Sequence, residues 1–178
     1  PNMQVLAPSD PLELRNCIKF CSKESNKPTY LRIGKSGEQT YNFKESEKWK
    51  FGKIRKLVNG TDICILSFGP IIKKAFEVKE ILKKKKISTE IYSCHTLKPF
   101  DKERIKKIFK KFKKIIIIED HSEIGGLASI VKSLAYEFKF TGILKCFSLK
   151  DKFFSCYSNQ DDLLKKHGIS TKDIIKSI

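Results

Sequence analysis

The stretch IIIIEDHSEIGGL, residues 115–127, decides how this chain folds. Four consecutive isoleucines, Ile115 to Ile118, carry no alternation of apolar and polar positions. A short β-branched run of that kind is a strand buried on both faces, as in a parallel sheet covered by helices. It ends in three polar residues, Glu119, Asp120 and His121, and the Gly125-Gly126 pair then opens an apolar helix. In open α/β sheets the carboxyl edge of the strands is where sites are built. The pattern recurs upstream, where a strand through Ile91 ends at Ser93-Cys94-His95 and runs into TLKPFD.

Working outward, strands and helices alternate. Strands are expected at Ser88 to Ser93, Lys114 to Asp120 and Ile143 to Ser148, and helices at Ile71 to Lys85, Asp101 to Phe112 and Gly126 to Phe138. Two short helices, at Gln160 to His167 and Thr171 to Ile178, close the chain. In the helix after Asp101, the residues Ile105, Ile108, Phe109 and Phe112 form one apolar stripe at i, i+3, i+4, i+7 spacing. Before these elements, Lys53 to Val58 and Asp62 to Phe68 flank Asn59-Gly60, which reads as a β-hairpin. The expected class is therefore α/β, an open, mostly parallel sheet with helices on both faces.

A partial α/β unit precedes it. Val5 to Ala7 reads as a strand. Ser9 or Asp10 caps a helix with Pro11 in its first turn and Glu13 near the capping-box position. That helix should run to about Ser25 and bury Leu14, Ile18 and Cys21. A strand over Pro28 to Ile33 carries Arg32 at its end. Gly34 to Lys50 is polar, holds the only Trp, Trp49, and reads as a linker or long surface loop.

The formal net charge of +17 invites a nucleic-acid reading, but only four of the 37 Lys and Arg residues are arginine. Base readout and bidentate phosphate recognition favour the arginine fork. The lysines fall on the polar faces of amphipathic helices, which marks a solvated surface, and no nucleic-acid partner is expected. No apolar run is long enough to span a bilayer. The start, PNMQVLAPSDP, has no signal-peptide pattern and reads as a cut or processed end. Six cysteines form no CxxC pair, which argues against structural zinc and for free thiols in a reducing, cytoplasmic setting.

Four constellations are candidates for chemistry. Gly125-Gly126 is either close packing of a helix start on the sheet or an anion site at a helix N-terminus, with packing favoured. His95 and His121 sit just past strand ends, a position that argues against core histidines. Glu119, Asp120 and His121 cannot act as one group, because successive strand residues face opposite ways. Arg32 is either a salt bridge at the sheet edge or a clamp for a phosphate or carboxylate. No G-x-G-x-x-G, P-loop or kinase signature is present. The residues by themselves supply no complete catalytic set.

In their order, PNMQVLAPSDPLELR, PTYLRIGK, GTDICILSFGP, HTLKPFD, EDHSEIGGLASIV and DDLLKKHGIS resemble the C-terminal section of the transketolase family, over nearly the whole chain. The His in HTLKPFD is more similar to the split, two-subunit transketolases than to deoxyxylulose phosphate synthase, which tends to carry Arg there. The β-subunits of 2-oxoacid dehydrogenases are more distant relatives. The resemblance implies that residues 1 to about 50 are the tail of a pyrimidine-binding domain plus linker, and that 51–178 are a transketolase C-terminal domain. It implies thiamine diphosphate and magnesium in the complete enzyme, with neither expected on this segment alone. It implies an upstream portion or partner subunit carrying the pyrophosphate-binding domain, a homodimer, and a phosphorylated sugar as substrate. The family's arginine at the end of this strand grips the substrate phosphate, which gives Arg32 that role. His95 matches a position that approaches the phosphate in the synthase branch. The expected function is two-carbon ketol transfer by an assembly of which this chain is one part. The alternatives are a synthase or dehydrogenase fragment, or a non-catalytic dimerisation or regulatory module.

Overall fold

The structure, a computed structural model, describes residues 1–35 and 37–178. Ser36, within the expected linker, lies outside the described residues. Among the described residues eight strands and six helices follow one another as β1 (Gln4–Leu6), α1 (Pro11–Lys23), β2 (Thr29–Leu31), β3 (Arg55–Val58), β4 (Ile63–Ser67), α2 (Ile72–Lys84), β5 (Thr89–Ser93), β6 (Thr96–Lys98), α3 (Lys102–Lys111), β7 (Lys114–Ser122), α4 (Leu127–Glu137), β8 (Ile143–Leu149), α5 (Gln160–Lys166) and α6 (Thr171–Lys176).

The larger sheet has the order β3-β5-β4-β7-β8. Strands β5, β4, β7 and β8 are parallel, and β3 is antiparallel to β5 at one edge. The four isoleucines of β7 are fully buried and divide between two cores. Ile115 and Ile117 face Ile105, Ile108, Leu127 and Val131 of α3 and α4. Ile116 and Ile118 face Ile72, Val78 and Leu82 of α2 and Ile174 of α6. This period-2 division is what a strand covered on both faces requires. Each buried isoleucine contributes roughly 1.5–3 kcal/mol of apolar transfer. The α3 stripe is buried as its spacing predicts, with Ile105, Ile108, Phe109 and Phe112 at most 8% exposed.

The expected hairpin does not form. Strands β3 and β4 lie on either side of β5, so Asn59-Gly60 joins two strands that never pair. A two-residue primed turn needs positive φ at both central residues, and neither Asn59 nor Gly60 has it. Gly60 serves a different purpose: a Cβ there would lie 2.3 Å from the backbone of Thr89 and Glu90. Close approach to the start of β5 demands the glycine.

The smaller sheet has the order β2-β1-β6. Strands β1 and β2 are parallel, and β6 joins antiparallel from the segment that follows β5. Helix α1 begins at Asp10, whose carboxylate accepts from the Glu13 N–H at 2.7 Å. It packs on Leu6 and Leu31 through Cys17 and Phe20. The expected inner face of Leu14, Ile18 and Cys21 is thus rotated, and Ile18 is 52% exposed. The cause is Glu13, which is drawn inward with no exposed surface and brings Cys17 and Phe20 with it.

The described residues of the expected linker form no helix or strand but are docked. The Tyr41 N–H donates to Asp10 Oδ2 at 2.7 Å, and the Tyr41 ring stacks on Phe76 of α2 at 4.2 Å. Glu47 accepts two hydrogen bonds from Arg104 at 3.1 and 2.9 Å. Trp49 packs beside Phe20 and Phe51.

Candidate functional site

The carboxyl ends of both sheets meet. The Ala7 N–H, just past β1, donates to His95 O at 2.8 Å. The Gly69 N–H, just past β4, donates to Ala7 O at 3.1 Å, and the Arg32 N–H, just past β2, donates to Leu6 O at 2.8 Å. Beside this junction lies a cleft of about 850 Å³ that includes Ser9, Arg32, Tyr41, Lys74, Asp120 and Gln160.

Arg32 reaches the cleft from the end of β2. Its Nη2 donates to Asp120 Oδ2 at 3.2 Å, and its guanidinium lies 5.8 Å from the centre of the Phe68 ring. Nη1 is buried and has no hydrogen-bond partner among the described residues. Gly69, with φ +68°, turns the chain beneath it; a Cβ there would stand 3.6 Å from Nη1. Of the other cleft cations, Lys74 pairs with Glu77 and Asp161 and Lys165 with Asp162, while Lys35 and Lys73 also line the cleft. Both readings of Arg32 therefore meet in one side chain, with one nitrogen in a salt bridge and the other unused.

The residues after Ile118 separate as alternation requires. Glu119 falls on the α4 side, fully buried. Its carboxylate accepts from the N–H groups of Leu127 at 2.6 Å and Ala128 at 3.3 Å and from the Ser148 hydroxyl at 2.6 Å. The N-terminus of α4 is thus satisfied by the chain's own anion, as a helix dipole favours. Gly126 allows it, since a Cβ there would lie 2.3 Å from Glu119 Oε2. Gly125 adopts φ +79° with open space around it. The packing reading holds for Gly126, whereas Gly125 is there for its positive φ. Asp120 falls on the opposite side, towards Arg32. Gln160 Nε2 approaches the same Oδ2 at 3.4 Å. His121 is exposed at the sheet edge.

His95 corrects the expectation drawn from its position. It has no exposed surface. The Trp49 ring stacks on it at 5.1 Å, Nδ1 lies 3.0 Å from Thr96 Oγ1, and Nε2 has no partner among the described residues. Burial, with the nearby Arg55 charge, pushes its pKa down to about 3, so the ring is neutral at physiological pH. The enclosed imidazole is not among the residues that line the cleft beside Arg32.

A second polar cluster, which the sequence did not announce, joins the two units. Glu13 Oε1 lies 3.2 Å from Arg55 Nη1. Glu13 Oε2 accepts from the Ser9 N–H at 2.9 Å and from the Ser93 hydroxyl at 2.8 Å. Burial pushes the Glu13 carboxyl upward, opposed by these donors and by the guanidinium. Arg55 also donates to Glu47 O at 2.8 Å. The one available signal was a carboxylate at the capping-box position of α1.

Among the described residues no group of three His, Cys, Asp or Glu side chains could hold a metal ion. No helix among them is long and apolar enough to cross a membrane.

Two α/β sheets meeting at their carboxyl edges, with an arginine at the junction, define a module of the kind that builds ligand sites between sheets. Residues 52–174 match the model of the family described as transketolase, C-terminal domain, and the chain belongs to that family. It is 35% identical to a Methanocaldococcus jannaschii protein assigned as a transketolase C-terminal section, over all of this chain and 55% of that protein. It is 31% identical to the 1-deoxy-D-xylulose-5-phosphate synthase of Cytophaga hutchinsonii, over all of this chain and 28% of that enzyme. A solved split-gene transketolase, described as an inactive beta4 tetramer, superposes with a TM-score of 0.87 at 28% identity, over 99% of this chain and 57% of its own. The chain thus spans about half the length, or less, of the relatives it matches.

Proposed function

We propose that this chain is the C-terminal portion of a transketolase-like, thiamine diphosphate-dependent enzyme that transfers two-carbon ketol units between sugar phosphates, and that it is inactive alone. The observation that carries the reading is the buried, unpartnered Nη1 of Arg32 at the junction of the two sheets, in a chain of this family. A planar guanidinium held on one side and free on the other suits a phosphate oxygen. In this reading residues 1–50 are the tail of the pyrimidine-binding domain plus linker, and 51–178 are the C-terminal domain.

The described residues do not fit the cofactor. They include no three-ligand group for magnesium, and Glu119 takes the N–H groups at the start of α4 that a pyrophosphate would need. We therefore assign thiamine diphosphate, and the chemistry of its ylid, to the upstream portion or partner subunit. Met3, Ile18, Tyr30 and Ile33 of the first unit are 48–59% exposed. Large apolar side chains gathered on one small unit suit such a neighbour. A homodimer in the cytoplasm completes the proposal, with the free cysteines suiting a reducing compartment.

The similarity to the Cytophaga enzyme supports a second reading, in which the assembled enzyme is a 1-deoxy-D-xylulose-5-phosphate synthase. Mixing this chain with its upstream portion, thiamine diphosphate and magnesium, and following both reactions, decides between them. Ketol transfer is expected only in the mixture. In Arg32→Ala, KM for the sugar phosphate should rise by a factor on the order of 10–100, as expected for losing a charge-assisted hydrogen bond. No reaction from portions shown to associate would sink the enzyme reading and leave a dimerisation module. An unchanged KM would remove Arg32 from the substrate site.

A further inference from the structure

We propose that Asp120 is the positioning residue for Arg32, so that the C-terminal domain tunes substrate phosphate binding from outside the unit that carries the arginine. This rests on the ketol-transfer reading above. The two residues stand 88 positions apart and belong to different sheets. Period-2 alternation along β7 puts Glu119 on the α4 side and Asp120 on the other, where its Oδ2 takes Arg32 Nη2 at 3.2 Å.

The consequence for Arg32 is geometric. A guanidinium is a rigid plane, so fixing one terminal nitrogen fixes the direction of the other. Asp120 holds Nη2, and Nη1 stays buried without a partner. The Phe68 ring at 5.8 Å limits the remaining freedom of the plane. Gln160 of α5, approaching the same Oδ2 at 3.4 Å, restrains Asp120 in turn.

Stability alone does not explain the pair. Its side chains are 30% and 23% exposed, and ion pairs open to solvent contribute little to folding. The two units are already joined by the buried Glu13–Arg55 pair and by β6, which completes the smaller sheet. What Asp120 adds is the orientation of one donor. The domain after the linker thereby takes part in substrate recognition without touching substrate.

The test uses the assembled enzyme, this chain with its upstream portion, carrying Asp120→Asn, Asp120→Ala or Asp120→Glu. KM is measured for a phosphorylated acceptor and for its unphosphorylated analogue. Asp120→Ala should raise KM for the phosphorylated acceptor about tenfold, the equivalent of one charge-assisted hydrogen bond weakened. KM for the unphosphorylated analogue and kcat should stay within about twofold, a change equivalent to less than RT. Asp120→Asn should fall between, and Asp120→Glu should recover part of the loss. A merely structural role would move both acceptors together, and the ratio of the two KM values would not change. That result, or an unchanged KM throughout, overturns the proposal while leaving the ketol-transfer reading intact. Absence of ketol transfer by the unaltered assembly would overturn both.

Discussion

Glu13 Oε1 and Arg55 Nη1 lie 3.2 Å apart with 1% and 2% of their side chains exposed, the most buried ion pair among those described. It ties the helix of the first unit to the edge strand of the second. Removing one partner leaves a buried charge uncompensated, which costs about 3–5 kcal/mol. Glu13→Ala should therefore lower the unfolding free energy by that amount in urea titration. Replacing both residues by apolar ones of similar size removes the stranded charge as well. The double change Glu13→Leu with Arg55→Met should be less harmful than Glu13→Ala alone. Additive losses in this cycle would show that the two residues are not coupled.

Gly126 and Glu119 should behave as one unit. The backbone at Gly126, with φ −85°, would accept alanine. The obstacle is a Cβ 2.3 Å from Glu119 Oε2 and 2.9 Å from its Cδ. Gly126→Ala should push the carboxylate off the Leu127 and Ala128 N–H groups and cost about 1–3 kcal/mol, the range for leaving buried polar groups unpaired. In a Glu119→Ala background the same substitution should cost much less, since the cap is gone and the one close contact left, 2.9 Å from Nδ1 of the exposed His121, is relieved by a small side-chain shift. Thermal unfolding of the four proteins checks this, and equal losses in both backgrounds would refute it.

The parts of the molecule that the sequence made legible are those governed by local pattern. The four isoleucines of β7 announced a doubly covered strand, and the α3 stripe announced its buried face. Alternation also separated Glu119 from Asp120 correctly. The parts that stayed hidden depend on contacts between distant segments. Asn59-Gly60 looked like a turn, but the glycine is required by β5, which begins some thirty residues later and enters between its neighbours. Ile18 looked buried until Glu13 rotated α1 towards Arg55. In the candidate site, Arg32 was visible as a rare arginine at a strand end, while its partner Asp120 was one of three adjacent polar residues with nothing local to distinguish it.

His95 looked accessible for the same reason, since the ring that covers it, Trp49, comes from the polar linker. Its burial has a consequence for acid stability. The imidazole's ordinary pKa is about 6.5, and in the folded chain it is pushed down to about 3. The unfolded chain therefore binds a proton that the folded chain refuses throughout that interval. A group with a depressed folded pKa contributes stability that is fully present above its unfolded pKa and is lost as pH falls towards the folded one. Between pH 7.5 and about pH 5.5 the loss from His95 should be about 1.4 kcal/mol, one pKa unit's worth. His95→Gln, which cannot take up that proton, should lose this part of the acid sensitivity even if it is less stable overall. Urea midpoints at the two pH values, for both proteins, measure the difference. If the two proteins lose the same stability on acidification, His95 is not held neutral by its enclosure, and the Trp49 contact does not seal it from water.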